Sequence, residues 1–186
     1  DNGKGLIASG PVSFLKIFSV LNEVLRRGGQ YRSGAVVSHI QIDHPDINEY
    51  VQVSRQELPW LKRCVDVTEE MWIAASQETK DLILDGIRNG DIWLAKIKWD
   101  LHGERIFSNV CLEIFLRSKG TCLLSHVNAG ALQLGDIVPA FEQGMTELCE
   151  LHGRTGVDKS GHYLSPKEDR QVGLGILGLA NHLAIH

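Results

Sequence analysis

This sequence lacks the features that mark several large classes of protein. Its 186 residues contain no block of lysines or arginines, and the formal net charge is -4. It also has no apolar run long enough to cross a bilayer. These absences argue against a nonspecific nucleic-acid binder and against a membrane-spanning protein. Since neither repeats nor low-complexity tracts occur, we expect an ordinary globular fold.

Cysteine usage indicates a reducing compartment. Four cysteines, Cys64, Cys111, Cys122 and Cys149, occur without a CxxC pair, and the histidines are scattered along the chain. Because closely spaced cysteines and histidines are typical of structural zinc sites, we expect no metal site. No secretory signal sequence is recognisable, so we expect the protein to act in the cytoplasm.

The apolar pattern predicts alternating helices and strands. Helices are expected where apolar residues recur every three or four positions, and strands where β-branched residues cluster. Predicted helices cover residues 14–25, 46–50, 69–76, 78–88, 137–151 and 172–180, and predicted strands cover 35–42, 63–67, 93–99, 105–116 and 121–124. This alternation indicates an α/β fold. The apolar pattern stops abruptly at residues 183–186, so we expect the chain to be part of a larger domain.

One predicted strand segment carries an unusual set of polar groups. In residues 108–114 an amide, a thiol and a carboxylate occupy alternate positions, at Asn109, Cys111 and Glu113. Successive side chains of a strand point to opposite faces, so these three would share one face. On that shared face the thiol would be positioned to take part in a chemical reaction. The alternative is an edge strand with a buried, inert cysteine.

Six short motifs occur in a fixed order along the chain. They are Ser9-Gly10-Pro11-Val12-Ser13-Phe14, Gly28-Gly29-Gln30-Tyr31-Arg32-Ser33-Gly34, Asp43-His44-Pro45-Asp46-Ile47, Ser108-Asn109-Val110-Cys111-Leu112-Glu113-Ile114, Cys122-Leu123-Leu124-Ser125 and Arg170-Gln171-Val172-Gly173-Leu174-Gly175. In this order they resemble the central catalytic part of a ribonucleotide reductase large subunit. The resemblance implies part of a ten-stranded α/β barrel with a central finger loop, the type shared with glycyl radical enzymes. Residues 1–186 would then form one partial catalytic barrel domain, without the N-terminal and C-terminal portions of the family.

The resemblance assigns a role to each polar group of residues 108–114. Cys111 would carry the transient thiyl radical that abstracts the ribose 3′ hydrogen. Glu113 would act as the base on the 3′ hydroxyl, and Asn109 would hydrogen-bond to the substrate together with Ser108. A carboxylate within hydrogen-bond reach can accept a hydroxyl proton, so the residue types suit these roles.

The resemblance also makes Cys122 the redox-active cysteine of the family. Its partner should lie upstream of Gly10-Pro11, and no cysteine precedes Cys64 in this sequence. Dithiol exchange needs two sulfurs within bonding geometry, so we expect this chain alone not to turn over substrate. A thioredoxin-like reductant and the remaining segments of the reductase are the implied partners. Cys64 and Cys149 lie in apolar patterns and are expected to be core thiols.

Two radical sources are known in this family. The short spacing between Cys111 and Cys122 and the His44-Pro45-Asp46 segment resemble the branch that uses adenosylcobalamin, as in a compact phage enzyme. Against this, Asn-Val-Cys-Leu-Glu replaces the Asn-Pro-Cys-Gly-Glu usual in that branch. The sequence found here is closer to the branch that takes its radical from a separate metal-carrying subunit. We favour adenosylcobalamin and keep the second source as the alternative.

The implied substrate is a ribonucleoside di- or triphosphate. Arg32 in the glycine-rich turn, and Arg55 and Lys62 at the position of the family's specificity loop, are candidates to read the base or an effector nucleotide. For Arg55 and Lys62, ordinary surface charge is the alternative. The alternative function for the whole chain is a non-catalytic module, derived from a truncated reductase, that binds nucleotides or a partner.

Overall fold

The computed structural model describes residues 3–5, 8–25 and 34–186. The chain forms two compact units, Asp1–Phe115 and Leu116–His186. Both units mix helices and strands, which confirms the predicted α/β class. Among the described residues the strands form open sheets of three, three and two strands, and none closes into a barrel. That all 186 residues form one partial barrel domain stays a prediction.

The first unit follows the predicted order of helices and strands closely. Its helices are α1 (Gly10–Val24), α2 (Ile47–Gln52), α3 (Glu69–Ala74) and α4 (Gln77–Arg88), and its strands are β1 (Val36–Gln41), β2 (Leu61–Val67), β3 (Ile92–Lys96), β4 (Lys98–Trp99), β5 (Arg105–Ser108) and β6 (Phe115–Leu116), whose second residue begins the next unit. Thr68 caps α3 by accepting a hydrogen bond from the backbone N–H of Met71. An N-cap hydroxyl satisfies one of the donors that a helix start leaves unpaired.

Strands β1, β2 and β3 form a parallel sheet in that order. Ile40 of β1 lies beside Val65 of β2 in the pairing register. Val65 packs in the hydrophobic core with Tyr50 of α2, Ile83 of α4 and Ile92 of β3, all nearly inaccessible to solvent. The core therefore lies between the sheet and the helices that connect its strands, as in other parallel sheets.

Strand β2 is buried on both faces, but the two faces differ chemically. Its Arg63, Cys64, Val65 and Asp66 are all buried. On the helix side, Nη1 of Arg63 donates to the carbonyl oxygens of Tyr50 and Val51 at 2.7 and 3.1 Å. Since side chains alternate along a strand, Cys64 and Asp66 occupy the opposite face. Burial lowers the pKa of Arg63 and raises that of Tyr50.

Helix α1 places polar residues inward. Ser19 and Asn22 are buried, and Nδ2 of Asn22 donates to the carbonyl oxygen of Trp60 at 2.6 Å. The predicted apolar face is instead exposed, with Ile17 63% and Val24 69% accessible. Gly28 and Gly29, which begin the second motif, lie outside the described residues.

The second unit is built on two parallel strands and one long helix. It contains β7 (Cys122–Asn128), α5 (Ile137–Arg154), β8 (Gln171–Leu177) and α6 (Leu179–Ile185), with short 3₁₀ helices at Ala129–Ala131, Leu134–Asp136 and Val157–Ser160. Cys122 lies beside Gln171 in the register of β7 and β8. Across the described parts of both units, no helix combines the length and the apolar character needed to cross a membrane.

The predicted helix at residues 172–180 is wrong, because residues 171–177 form β8. Val172, Leu174 and Ile176 alternate with Gly173 and Gly175, which is the two-residue period of a strand. Each glycine would cost a helix about 1 kcal/mol relative to alanine. In the strand the glycines leave room for neighbours, since a Cβ at Gly175 would lie 2.6 Å from Cδ2 of His126 on β7.

Candidate functional site

Residues 109–114, called the finger loop below, connect β5 to β6. The continuous strand predicted for residues 105–116 is therefore wrong. The backbone N–H of Leu112 donates to the carbonyl oxygen of Asn109 at 3.0 Å, which closes a turn, and the N–H of Asn109 donates to the carbonyl oxygen of Ile114 at 3.1 Å. Leu112 has a φ of 70°. This left-handed conformation costs a side chain about 1–2 kcal/mol, and the turn holds it in place.

Asn109 fixes the finger loop with its side chain as well as its backbone. Its Nδ2 donates to Oε1 of Glu113 at 2.8 Å, and its Oδ1 accepts from the N–H of Ile114 at 3.3 Å. Asparagine commonly stabilises turns by such local bonds, which explains why the strand ends here. Glu113 is exposed, so the amide holds one carboxylate oxygen while the group stays accessible to a ligand.

Cys111 lies at the third position of this turn and is exposed. The alternative placed this cysteine in a buried position of an edge strand, and that placement is wrong. The structure brings Asn109 and Glu113 into direct contact and places an accessible thiol between them in sequence. An accessible thiol and an oriented carboxylate on one short loop are groups that can act on a bound molecule, the carboxylate by accepting a proton.

The residue before the finger loop is anchored to the first unit's interior. Ser108 is buried, and its carbonyl and hydroxyl oxygens lie 3.2 and 3.4 Å from Nε2 of His39. On the other side of the ring, Nδ1 of His39 lies 2.8 Å from Oδ1 of Asp66, whose Oδ2 accepts from Nη2 of Arg105 at 2.7 Å. Both ring nitrogens of His39 therefore have hydrogen-bond partners. Substrate binding by Ser108 stays a prediction.

Cys64 joins this buried group, which sequence reasoning missed. Its Sγ lies 3.9 Å from Oδ1 of Asp66, and its side chain also contacts that of Ser108. Burial and the neighbouring Asp66 raise the pKa of the Cys64 thiol to about 12. One ligand atom each from His39, Cys64 and Asp66 lies within 4.8 Å of the other two. The strand register pairs His39 with Cys64, a relation that residue spacing does not reveal.

A cleft of about 340 Å³ brings together several other predicted residues. Arg55, Lys62, Trp60 and Trp93 line it, and so does Val110 of the finger loop. Nη2 of Arg55 donates to the carbonyl oxygen of Gly90 at 2.6 Å and pairs with Asp91 at 2.9 Å, while Nζ of Lys62 lies 4.2 Å from the ring centre of Trp93. Arg32 lies outside the described residues.

The other cysteines are distributed between buried and accessible positions. Cys122 begins β7 in the second unit and is half-buried. The prediction of a core thiol is confirmed for Cys64, which is buried. Cys149 on α5 was also expected to be a core thiol, but it is only half-buried. All four cysteines are described, and none forms a disulfide.

One histidine pair escaped the sequence reasoning. His182 and His186, four residues apart, have ring centres separated by 4.6 Å. Their HxxxH spacing was therefore a signal that could have been found.

Comparison with known proteins shows what the first part of the chain is similar to. Residues 2–82 match the family model described as "Ribonucleotide reductase, barrel domain". The chain is 49% identical over 45 residues to a vitamin B12-dependent ribonucleoside-diphosphate reductase of Thermoplasma acidophilum, covering 24% of this chain and 6% of that protein. It is 40% identical over 68 residues to the reductase of that name from Mycobacterium tuberculosis, covering 35% of this chain and 10% of that protein.

The matches therefore span about one tenth or less of these relatives' length. The finger loop lies beyond the residues that the family model matches. Residues 2–82, less than half of the chain, are therefore similar to the barrel domain of ribonucleotide reductases.

Proposed function

We propose that this chain supplies the catalytic finger-loop segment of a ribonucleotide reductase, which reduces a ribonucleoside di- or triphosphate to the 2′-deoxyribonucleotide. The observation that carries this proposal is the finger loop itself. Nδ2 of Asn109 holds Oε1 of Glu113 at 2.8 Å, the thiol of Cys111 on the same loop is exposed, and Val110 of this loop lines a cleft. The match of residues 2–82 to the ribonucleotide reductase barrel domain supports the same reaction class.

Each of the three polar residues would perform one step on the ribose. Cys111, as a thiyl radical, takes the 3′ hydrogen atom and returns it at the end of the cycle. Glu113 accepts the 3′-hydroxyl proton as the sugar radical forms. Proton transfer by a positioned group contributes about 10²–10⁴-fold to a rate. Asn109 orients Glu113 through its amide, which leaves the second carboxylate oxygen for the substrate.

We propose adenosylcobalamin as the radical source, since the relatives named above are described as vitamin B12-dependent. When bound, this cofactor would supply the radical from which the thiyl radical of Cys111 forms. Cys111 is the residue that would face it, and its exposed position on the finger loop fits a thiol that must be reached from outside the unit. A separate metal-carrying subunit remains the alternative source.

We propose that the cleft beside the finger loop binds the nucleotide or an effector. Indole rings such as those of Trp60 and Trp93 are suitable surfaces for stacking a base, and Lys62 and Arg55 can meet phosphate oxygens. Arg55 already bonds to Gly90 and Asp91, so its position is fixed before a ligand arrives. If Arg55 and Lys62 are ordinary surface charges instead, replacing either residue should leave nucleotide binding unchanged.

The full cycle consumes two electrons, which a dithiol supplies as it becomes a disulfide while the 2′ oxygen leaves as water. Cys122 is the proposed redox-active thiol, resupplied by a thioredoxin-like reductant in the cytoplasm, or in a host cytoplasm if the source is a phage. The remaining reductase segments would supply its partner sulfur. The exposed apolar residues of α1 are a surface that those segments would cover.

The deciding experiment measures exchange of tritium from the 3′ position of the substrate in the complete enzyme that carries this chain. Cys111→Ser should abolish exchange, because an alcohol does not form the required radical. Cys149→Ser, the matched control on α5, should keep exchange near the wild-type rate. Retained exchange in Cys111→Ser would refute the proposal.

The second candidate is a non-catalytic nucleotide-binding module, and the cleft is the observation that favours it. Calorimetry of the chain with nucleoside di- and triphosphates separates the two functions. Tight binding that Lys62→Gln weakens, with no exchange even in the complete enzyme, would establish the module. Exchange that depends on Cys111 would exclude it.

A further inference from the structure

Three potential metal ligands of different types meet in the interior of the first unit. His39 of β1 and Cys64 and Asp66 of β2 share the face of the sheet opposite the helices. Their ligand atoms lie within 4.8 Å of one another. The side chains of His39 and Asp66 are only 10% and 4% exposed, and Cys64 is inaccessible. A nitrogen, a sulfur and a carboxylate oxygen are the donors that zinc uses in proteins.

The groups around these donors match those that commonly support metal ligands. Nε2 of His39 lies 3.2 Å from the carbonyl oxygen of Ser108, and Oδ2 of Asp66 accepts from Arg105 at 2.7 Å. Metal-bound histidines usually donate their second ring N–H to a carbonyl or carboxylate, and metal-bound carboxylates are usually hydrogen-bonded in turn. Both kinds of supporting group, a carbonyl oxygen at His39 and a hydrogen-bond donor at Asp66, are already in place.

We propose that His39, Cys64 and Asp66 form a binding site for a thiophilic divalent cation, Zn²⁺. The ion would bond to Nδ1, Sγ and Oδ1, with a water molecule at the fourth position. In the described state the 2.8 Å contact between Nδ1 and Oδ1 is a hydrogen bond, so a cation would replace the bridging proton and move these atoms slightly apart.

Proton balance follows directly from this replacement. The thiol of Cys64 loses its proton to solvent, and the proton on Nδ1 of His39 is exchanged for one on Nε2, which then donates to the Ser108 carbonyl. One proton is therefore released for each ion bound to the neutral histidine. Because binding of the ion releases this proton, binding strengthens as pH rises.

Arg105 limits the affinity without preventing binding. Its guanidinium pairs with Asp66, and it would face a cation across that carboxylate. However, Arg105 is 23% exposed in its side chain and lies 4.7 Å from the ring centre of Phe107, so solvent and the ring share its charge. Arg105→Gln removes this positive charge and should therefore tighten metal binding. If the three residues form only a hydrogen-bonded network, the same substitution should weaken that network.

The test uses the 186-residue chain after chelator treatment, titrated with Co²⁺ and then with Zn²⁺. A variant with serine at Cys111, Cys122 and Cys149 keeps Cys64 as its only thiol. We expect one Co²⁺ per chain, with a sulfur-to-cobalt charge-transfer band and one proton released, in both the wild type and this variant. Cys64→Ser should lose the band, and Zn²⁺ should displace Co²⁺.

A second measurement does not depend on the folding of any variant. X-ray absorption of the zinc-loaded wild type should show one sulfur at about 2.3 Å and nitrogen or oxygen ligands at about 2.0–2.1 Å. A coordination shell without sulfur, or no stoichiometric binding by the wild type, would overturn the proposal. So would a charge-transfer band that survives in Cys64→Ser. None of these outcomes bears on reductase activity, so the two proposals can fail separately.

Discussion

Two ion pairs of equal length in the first unit should differ strongly in their contribution to stability. Nη2 of Arg105 lies 2.7 Å from Asp66, and Nη1 of Arg88 lies 2.7 Å from Asp85. The first pair is 23% and 4% exposed, whereas the second is 72% and 64% exposed. Removing one partner of a buried pair costs about 3–5 kcal/mol, and an exposed pair contributes about 0.2–1 kcal/mol. Partial exposure of Arg105 lowers the first figure, so we expect Asp66→Asn to cost about 2–3 kcal/mol.

Urea unfolding with chelator present, followed by tryptophan fluorescence, measures this difference. All four tryptophans, at positions 60, 72, 93 and 99, lie in the first unit, so the signal reports that unit alone. Asp85→Asn is the matched control, and its unfolding free energy should stay within about 0.5 kcal/mol of the wild type. Equal losses in the two variants would refute the argument that burial decides the value of the pair.

Three further predictions concern the same unit. Tyr50→Phe removes the hydroxyl that donates to the Ser38 carbonyl at 2.9 Å and contacts the Ser38 hydroxyl at 2.8 Å, and should cost about 1–3 kcal/mol in urea unfolding. Gly86→Ala would bring a Cβ to 2.5 Å from Cγ1 of Ile92, and overpacking of about 1–3 kcal/mol should exceed the gain of about 1 kcal/mol in helix propensity; an unchanged or raised midpoint would contradict it. Burial raises the pKa of Cys64 from 9.0 to about 12, so the thiol ionises at lower pH in the unfolded chain than in the folded one. The free energy of unfolding should therefore fall between pH 9 and 12. This fall should be smaller in Cys64→Ala than in the wild type.

The sequence predicted the first sheet and its helices well, because burial there follows simple periods. Strands β1 and β2 carry β-branched residues, and α4 follows a serine N-cap at Ser76, as expected for regular elements. In the tail at residues 172–180, high apolar content favours a helix, whereas the two-residue period favours the strand that forms over residues 171–177. Small residues between large apolar ones fit a strand when a neighbouring strand supplies the filling side chains.

The candidate site was only partly predictable. The resemblance indicated a finger loop, but alternation alone predicted a strand, since it ignores the bonds that Asn109 makes to Glu113 and Ile114. The cluster of His39, Cys64 and Asp66 depends on the register of β1 against β2, which is set by three-dimensional pairing. No local pattern in the sequence contains that information.

The two chemically different faces of β2 also govern how this strand can misfold. A slip of one residue exchanges the faces, so Asp66 would enter the apolar side beside Tyr50 and Ile83 while Val65 would meet His39. Burying a carboxylate without a partner costs several kcal/mol, and Arg105 would be left unpaired as well. In a uniformly apolar central strand, the same slip would exchange one hydrocarbon surface for another. The charges of β2 therefore favour the native register of the parallel sheet, because they make a pairing shifted by one residue unstable.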